Sequence, residues 1–385
     1  MQIIYLVHDL YDSAVAKRVA MLQRGGAHVE LAGFRRADKS TDRISEAKVT
    51  DFGRTRNASF LKRILSVLKI ILTLRSYKDI FHKKNIIVAR NLEMLAIAIC
   101  AKTFLFKKDL KPIVIYESLD IHRLLLKKGI IGKVLRGLEG FLCRRSDGLI
   151  TSSPAFIREY FKPISNVALP IKLVENKVYF AGSKGFEPQQ RSTKDDNEPW
   201  RIGWFGALRC KVSLEVLCEL VKAFPNQIEV ILAGKPAYDQ MPDFDKVTSQ
   251  TKGVSFLGAY QYPDDLEKIY HQVDFTWSID RFEEGQNSTW LLPNRLYEGC
   301  LFDAVPIAEQ DVATGKYLDE LDIGVLISDR LLEDITSIFH HLDLEAYTRM
   351  SDSVKNIPKT CWLINDEECK DIVAWMTNPH EKRDS

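Results

Sequence analysis

Arg295 and Glu298 lie three apart in the stretch that runs from Asn287 to Ala308. On a helix that spacing sets a guanidinium and a carboxylate on one face. Such a carboxylate can accept the two hydroxyls of a ribose, while the helix terminus beside it holds a phosphate. Pro293 suits the first helical turn, and the polar loop before it offers Asn287 and Ser288 as further hydrogen-bonding groups. A capped surface helix with an internal Arg–Glu pair is the competing account of the same spacing. A second group, Gly206-Ala-Leu-Arg209-Cys-Lys211, joins an apolar run to a helix starting near Ser213. Gly206 lets the backbone approach a ligand, and Arg209 and Lys211 put positive charge beside a helix start, which is the make-up of a phosphate site. A third group, Glu117-Ser-Leu-Asp120-Ile-His122, closes an apolar run with three ionisable side chains in six residues. These are candidates for acid–base work, although hydrogen bonding to nearby backbone explains each of them equally well alone.

The elements that would carry these groups follow from periodicity. Short apolar runs (residues 2–8, 28–34, 85–90, 112–116 and 148–151) alternate with helical patterns, the signature of parallel β/α units. His8 and Asp9 end the first run, where a strand-end cap competes with a ligand contact. No G-x-G-x-x-G follows that run, which argues against a dinucleotide site there. The pattern restarts at Trp200 after the polar, glycine-bearing stretch 181–199, which reads as a linker. The expected architecture is α/β: an N-terminal domain 1–180, the linker, a C-terminal domain 200–360, and a final helix within 361–385 that crosses back to the first domain.

Composition narrows the function. The 385 residues carry a net charge of only +2, yet residues 1–200 hold 36 Lys+Arg against 20 Asp+Glu, and residues 201–385 hold 18 against 32. A basic half in a nearly neutral chain suits an anionic surface. Within it, residues 58–84 form a basic helical region with Leu65, Leu68 and Leu72 among Lys62, Arg63 and Lys69. A solvated helix packed on the sheet and a helix lying on anionic lipid both fit this pattern. Few aromatics interleave the charge and no nucleic-acid motif occurs, so no nucleic acid is expected. No run approaches the ~18 apolar residues of a membrane span, and the amino terminus lacks a basic n-region and cleavage site. Seven cysteines without a C-x-x-C pair suit buried thiols in a reducing cytoplasm. Asp243-Phe-Asp245 has the form of a metal–nucleotide D-x-D but lies in a polar loop between β/α units, and is read as structural. No G-x-S-x-G elbow is present.

Leu292, Pro293, Arg295, Leu296, Glu298, Val305, Pro306 and Ile307 resemble the nucleotide-sugar loop and helix of the family 4 retaining glycosyltransferases. The turn Gly206 to Lys211 resembles that family's diphosphate turn, with Arg and Lys closer together than usual. Glu117 and Asp120 match its Glu-x-x-Asp, but Leu119 stands where many relatives carry a histidine, and His122 lies beyond. Where relatives often place a second glutamate, eight residues before Glu298, this chain has Trp290.

The resemblance implies two Rossmann-like domains facing across a cleft, the glycosyltransferase B architecture, and a retaining transfer of a hexose from a nucleotide diphosphate sugar. It implies a saccharide or lipid-linked saccharide acceptor in surface polysaccharide synthesis, a peripheral place on the inner face of the plasma membrane, and no metal or cofactor. Glu117, Asp120 and His122 would then be catalytic. Gly206, Arg209 and Lys211 would hold the diphosphate, and Glu298, Asn287, Ser288 and Arg295 the ribose and sugar. A nucleotide-sugar 2-epimerase or phosphorylase of the same fold, or a non-catalytic sugar-nucleotide-binding subunit, is the alternative.

Overall fold

Apolar runs that are buried on both faces become parallel strands, because only flanking helices can cover a sheet on both sides. The computed structural model describes residues 1–36, 42–55, 60–180, 194–195 and 198–381, so of the 181–199 linker only four residues are among them. Two α/β units result, one formed by Met1–Glu175 with Asn365–Ser385 and the other by Asn176–Ile364.

In the first unit the strands are β1 (Gln2–Val7), β2 (His28–Arg35), β3 (Arg43–Ile44), β4 (Ala47–Arg54), β5 (Ile86–Arg90), β6 (Ile113–Ser118), β7 (Gly148–Thr151) and β8 (Ile171–Leu173). They lie in the order β3-β4-β2-β1-β5-β6-β7-β8, parallel throughout except between β3 and β4. β1 sits where the order reverses, flanked by β2 and β5 with Ile3 opposite both Val29 and Ile86. Open sheets present their functional residues at the carboxyl ends beside such a reversal. The helix Ser13–Arg24 begins at Asp12, whose carboxylate accepts the Ala14 N–H at 3.0 Å, an N-cap that alanine could not supply. The final helix, Asp366–Thr377, opens with a reciprocal Asn365–Glu368 capping box and packs on this unit through Arg24–Asp366 and Lys172–Asp371 ion pairs.

The second unit holds β9 (Trp200–Leu208), β10 (Ile228–Pro236), β11 (Val254–Phe256), β12 (Phe275–Trp277), β13 (Val305–Glu309) and β14 (Val325–Ile327). Their order, β11-β10-β9-β12-β13-β14, is all parallel and reverses between β9 and β12. Alternation along β9 divides the core. Trp204 joins Trp277 and the helices Lys211–Ala223 and Leu331–His341 on one face, while Phe205 joins Tyr270, Tyr297 and Trp362 on the other. Residues 176–180 belong here because the Asn176 amide donates to the Leu292 carbonyl at 2.9 Å and Val178 bridges to Leu363. Pro293 is the cap residue and not part of the first turn: its backbone is extended at φ −72° and ψ 150°, and the helix runs Asn294–Leu301. Among the described residues, no helix is long and apolar enough to cross a membrane.

Candidate functional site

Near the carboxyl end of β9, which runs on past it to Leu208, Gly206 has φ +101° and pairs with Gly234 of β10, itself at φ +134°. A Cβ on Gly234 would lie 1.9 Å from the Gly206 carbonyl oxygen, so glycine there is what lets the ends of β9 and β10 approach so closely. Beyond β9 Cys210 caps the helix Lys211–Ala223, its sulfur accepting the Ser213 N–H at 3.4 Å and the Arg281 N–H at 3.3 Å. The positive end of that helix therefore sits at the carboxyl edge of the sheet, a favourable place for an anion.

Arg209 is fixed beside it. Its Nη2 and Nε donate to one carboxylate oxygen of Asp280, at 2.8 and 3.2 Å, and its guanidinium carbon lies 4.9 Å from the Phe282 ring centre. The other Asp280 oxygen accepts the Phe282 N–H at 2.9 Å. Burial alone would raise the Asp280 pKa, but Arg209 and then Arg295 outweigh it and hold the carboxyl below its usual range. Asp280 is the partner that sequence reasoning missed; the signal was a carboxylate just past a strand beside the sheet's reversal. Lys211 is not brought to Arg209. It opens a helix whose inward positions are apolar, so its side chain turns to solvent, 69% exposed, and pairs with Glu215 at 3.5 Å.

The helix Asn294–Leu301 packs tightly on β12, since Gly299 leaves no room for a Cβ against the Thr276 side chain. That closeness buries both of its charged groups. Arg295 donates from Nη2 to the Ile279 carbonyl at 3.2 Å, and its buried Nε has no hydrogen-bond partner among the described residues. Burial lowers the Arg295 pKa, with Asp280 opposing and the like charge of Arg209 reinforcing the shift. Glu298 accepts the Tyr270 hydroxyl at 2.9 Å. Burial and then the Glu298 charge push the hydroxyls of Tyr260 and Tyr262 upward as well. The Tyr260 hydroxyl is also 3.8 Å from where a Gly206 Cβ would be, so it lies beside the end of β9. The structure thus assembles Gly206, Arg209, Arg295 and Glu298 at one edge of the sheet. Asn287 and Ser288 are buried on the short helix Asn287–Trp290, where the Ser288 hydroxyl accepts the Glu283 N–H at 2.9 Å and so secures the loop.

The third group separates in the first unit. Glu117 is fully buried, with Arg18 Nε on one oxygen at 2.7 Å, Arg90 Nε on the other at 2.7 Å, and the Tyr5 hydroxyl donating as well. Burial would raise its pKa; Arg90 and Arg18 outweigh that and hold it at about 2. This corrects the expectation of a catalytic Glu117, since a carboxylate so engaged neither takes nor gives a proton near neutrality and instead ties β6 to β1 and β5. Asp120 is exposed, and its carbonyl accepts the Ser118 hydroxyl at 3.1 Å. His122 caps the short helix Arg123–Leu126, its Nδ1 accepting the Leu124 N–H at 3.2 Å. Desolvation, then Arg63, lowers its pKa, consistent with the neutral ring that an acceptor cap needs. His8 Nδ1 lies 3.1 Å from the Asn91 amide, while Asp9 pairs with Arg36. Of the D-x-D, Asp243 precedes the helix Phe244–Gln250 and Asp245 accepts the Tyr238 hydroxyl at 3.0 Å.

No protein-family model matches the chain. It is 41% identical over 378 residues to the succinoglycan biosynthesis protein ExoL of Rhizobium meliloti (strain 1021), a likeness covering 98% of this chain and 93% of ExoL. Its fold is similar to that of sucrose-phosphate synthase from Thermosynechococcus elongatus, with a TM-score of 0.70 at 11% identity over 98% and 96% of the two chains. Anabaena HepE in complex with UDP gives a TM-score of 0.65 at 14% identity over 97% and 98%. WaaG, a glycosyltransferase involved in lipopolysaccharide biosynthesis, gives 0.64 at 11% over 96% and 99%. At these identities the solved structures establish the fold, two Rossmann-like domains of the glycosyltransferase B architecture.

Proposed function

The chain belongs to the family of the succinoglycan biosynthesis protein ExoL, and from that premise we propose that it is a glycosyltransferase of polysaccharide biosynthesis using a nucleotide diphosphate sugar. The observation that carries this reading is the meeting of Gly206, Arg209, Arg295 and Glu298 at the carboxyl edge of one parallel sheet. Arg209 and the first turn of the helix Lys211–Ala223 take the diphosphate, and the Glu298 carboxylate takes the ribose diol. Asn287 and Ser288 lie on the segment before that helix, and contact the donor sugar in place of the glutamate that Trp290 replaces.

The chemistry is a retaining hexosyl transfer in which negative charge grows on the departing diphosphate. Donors already oriented toward that charge, Arg209 and the helix terminus, stabilise it more than they stabilise the bound donor, which is what lowers a barrier. No metal ion takes part in this scheme. The acceptor is a saccharide or lipid-linked saccharide at the inner face of the plasma membrane, a reading supported by the basic charge of residues 1–200. HepE has been solved with UDP and with UDP-glucose, which makes uridine the first base to test.

The test is stabilisation and turnover with a panel of nucleotide sugars. A ligand at 100 times its Kd adds about 2.7 kcal/mol, a shift that thermal unfolding resolves readily. Donor consumed only when a saccharide acceptor is added supports transfer. Conversion of the donor alone into an epimer overturns it, as does the absence of stabilisation by every nucleotide sugar. Turnover should survive chelation and the Asp243→Ala, Asp245→Ala double change; loss of turnover on chelation, restored by manganese, would overturn the metal-free scheme.

A further inference from the structure

The helix Ile130–Cys143 in the first unit is apolar on both sides, although only one side meets the protein. Its inward positions are Gly132, Glu139, Leu142 and Cys143. Glu139 is the helix's one acidic residue, and it is consumed inside: its two oxygens accept the hydroxyls of Tyr116 at 3.0 Å, Tyr160 at 2.6 Å and Ser165. The outward face consists of Ile130, Ile131, Val134, Leu138 and Phe141, spaced by three and four residues, with Ile130 82% and Val134 63% exposed. A helix facing water carries charge on that stripe. Here charge is confined to the rim, where Lys127, Lys128, Lys133, Arg144 and Arg145 are all exposed and every one is basic. The helix Asn91–Phe104 packs against this helix and also against Phe60–Leu72, which exposes Leu65, Leu68 and Leu72 beside Lys62 and Lys69.

An apolar stripe of this extent marks a surface that is covered in use. The rim decides by what. Two copies of the chain joined face to face through this helix would set lysine and arginine against lysine and arginine. An anionic bilayer offers hydrocarbon to the stripe and phosphate to the rim at the same time. We propose that the outward face of the helix Ile130–Cys143 lies in the interface of an anionic bilayer, with Ile130, Val134 and Phe141 among the acyl chains and the five basic side chains on lipid phosphates.

This inference rests on the reading of a membrane-borne acceptor for its purpose, but its test needs no sugar. The full chain is sedimented with vesicles of phosphatidylglycerol and phosphatidylcholine, and with phosphatidylcholine alone, across a salt series. Binding to the anionic vesicles that weakens with salt is the expected result. Ile130→Ser with Val134→Ser should weaken it at least about tenfold while leaving thermal unfolding unchanged, since these side chains are 82% and 63% exposed. Val134→Trp should give an emission blue shift on anionic vesicles only. Equal binding of the double serine variant, or a tryptophan that reports water on the vesicle, overturns the assignment. So does concentration-dependent self-association that the serine pair abolishes, which would give the face to a second copy. A chain that docks but transfers nothing refutes the transferase reading and keeps this one.

Discussion

Arg209→Ala removes a cation from the phosphate turn and strands the Asp280 carboxylate, so it acts on binding and on stability together. The pair is intermediate in burial, Asp280 being 5% and Arg209 32% exposed. Exposed pairs contribute about 0–1 kcal/mol, while breaking a buried pair costs about 3–5 kcal/mol. A loss of about 1–3 kcal/mol is therefore expected, and each kcal/mol moves the unfolding midpoint by about 2–4 °C for a unit of this size. The loss in binding is separate: hydrogen bonds to a charged group contribute about 1.5–3 kcal/mol, or roughly 10- to 150-fold in Kd. Adding Asp280→Asn distinguishes the two effects. The amide removes the stranded charge, so at least about half of the lost stability should return by denaturant unfolding. UDP affinity by calorimetry should stay as weak as in the single variant. Arg209→Ala binding UDP within about twofold of the parent would refute the phosphate role. Recovery of UDP affinity in the double variant would show that Arg209 matters only by neutralising Asp280.

Glu298→Ala should weaken UDP by about 10- to 150-fold, because the ribose diol loses a charged acceptor at about 1.5–3 kcal/mol; calorimetry with UDP, and with the 2′-deoxy nucleotide as control, reads this directly. Lys211→Ala should change UDP affinity by less than about twofold, since an exposed i,i+4 pair with Glu215 is all that is lost. Glu117→Gln should destabilise the first unit by about 3–5 kcal/mol, because two buried guanidinium groups lose their counter-charge. Glu117 also sets an acid limit. Its folded pKa of about 2 lies below the ordinary 4.5, so its stabilisation is complete above 4.5 and is lost as pH falls toward 2. Urea midpoints measured across that window should fall less steeply in the Gln variant than in the parent.

The parallel strands were legible because strands buried on both faces must read as apolar runs, and Gln2–Val7, Ile86–Arg90 and Val305–Glu309 all do. The point of reversal in each sheet, by contrast, is a matter of strand order that no single run contains. The candidate phosphate group was visible as a glycine before two cations at a strand-to-helix junction, and of these the structure keeps Gly206 and Arg209 at the sheet's edge. What spacing could not give is which side of its element a residue takes. Lys211 and Arg209 are two apart, yet the first turn of the helix sends one to solvent and leaves the other on Asp280, 71 residues away. Glu117 and Asp120 have the same limitation in the first unit. Their local pattern suits a catalytic edge, but the partners that fix Glu117 come from β1, β5 and the helix Ser13–Arg24, which no local window contains.

The outward face of the helix Ile130–Cys143 was hidden by a related ambiguity, and it shows where sequence reading stops. An apolar helix in a β/α unit reads as core, because burial and lipid contact demand the same side chains. Only the position of Glu139 breaks the tie. Three hydroxyls hold that carboxylate inside, so the opposite side of the helix, with Ile130, Val134 and Phe141, must face out. The same placement keeps the outward face free of acid on this helix, leaving Lys133, Arg144 and Arg145 unopposed there. Glu139→Gln is then informative in a way that surface changes are not. It keeps the outward side chains but weakens the anchor that orients them, so it should lower both the unfolding midpoint and anionic-vesicle binding. The serine pair lowers vesicle binding alone. A Glu139→Gln variant with reduced stability and undiminished vesicle binding would show that the helix face is not held by this carboxylate.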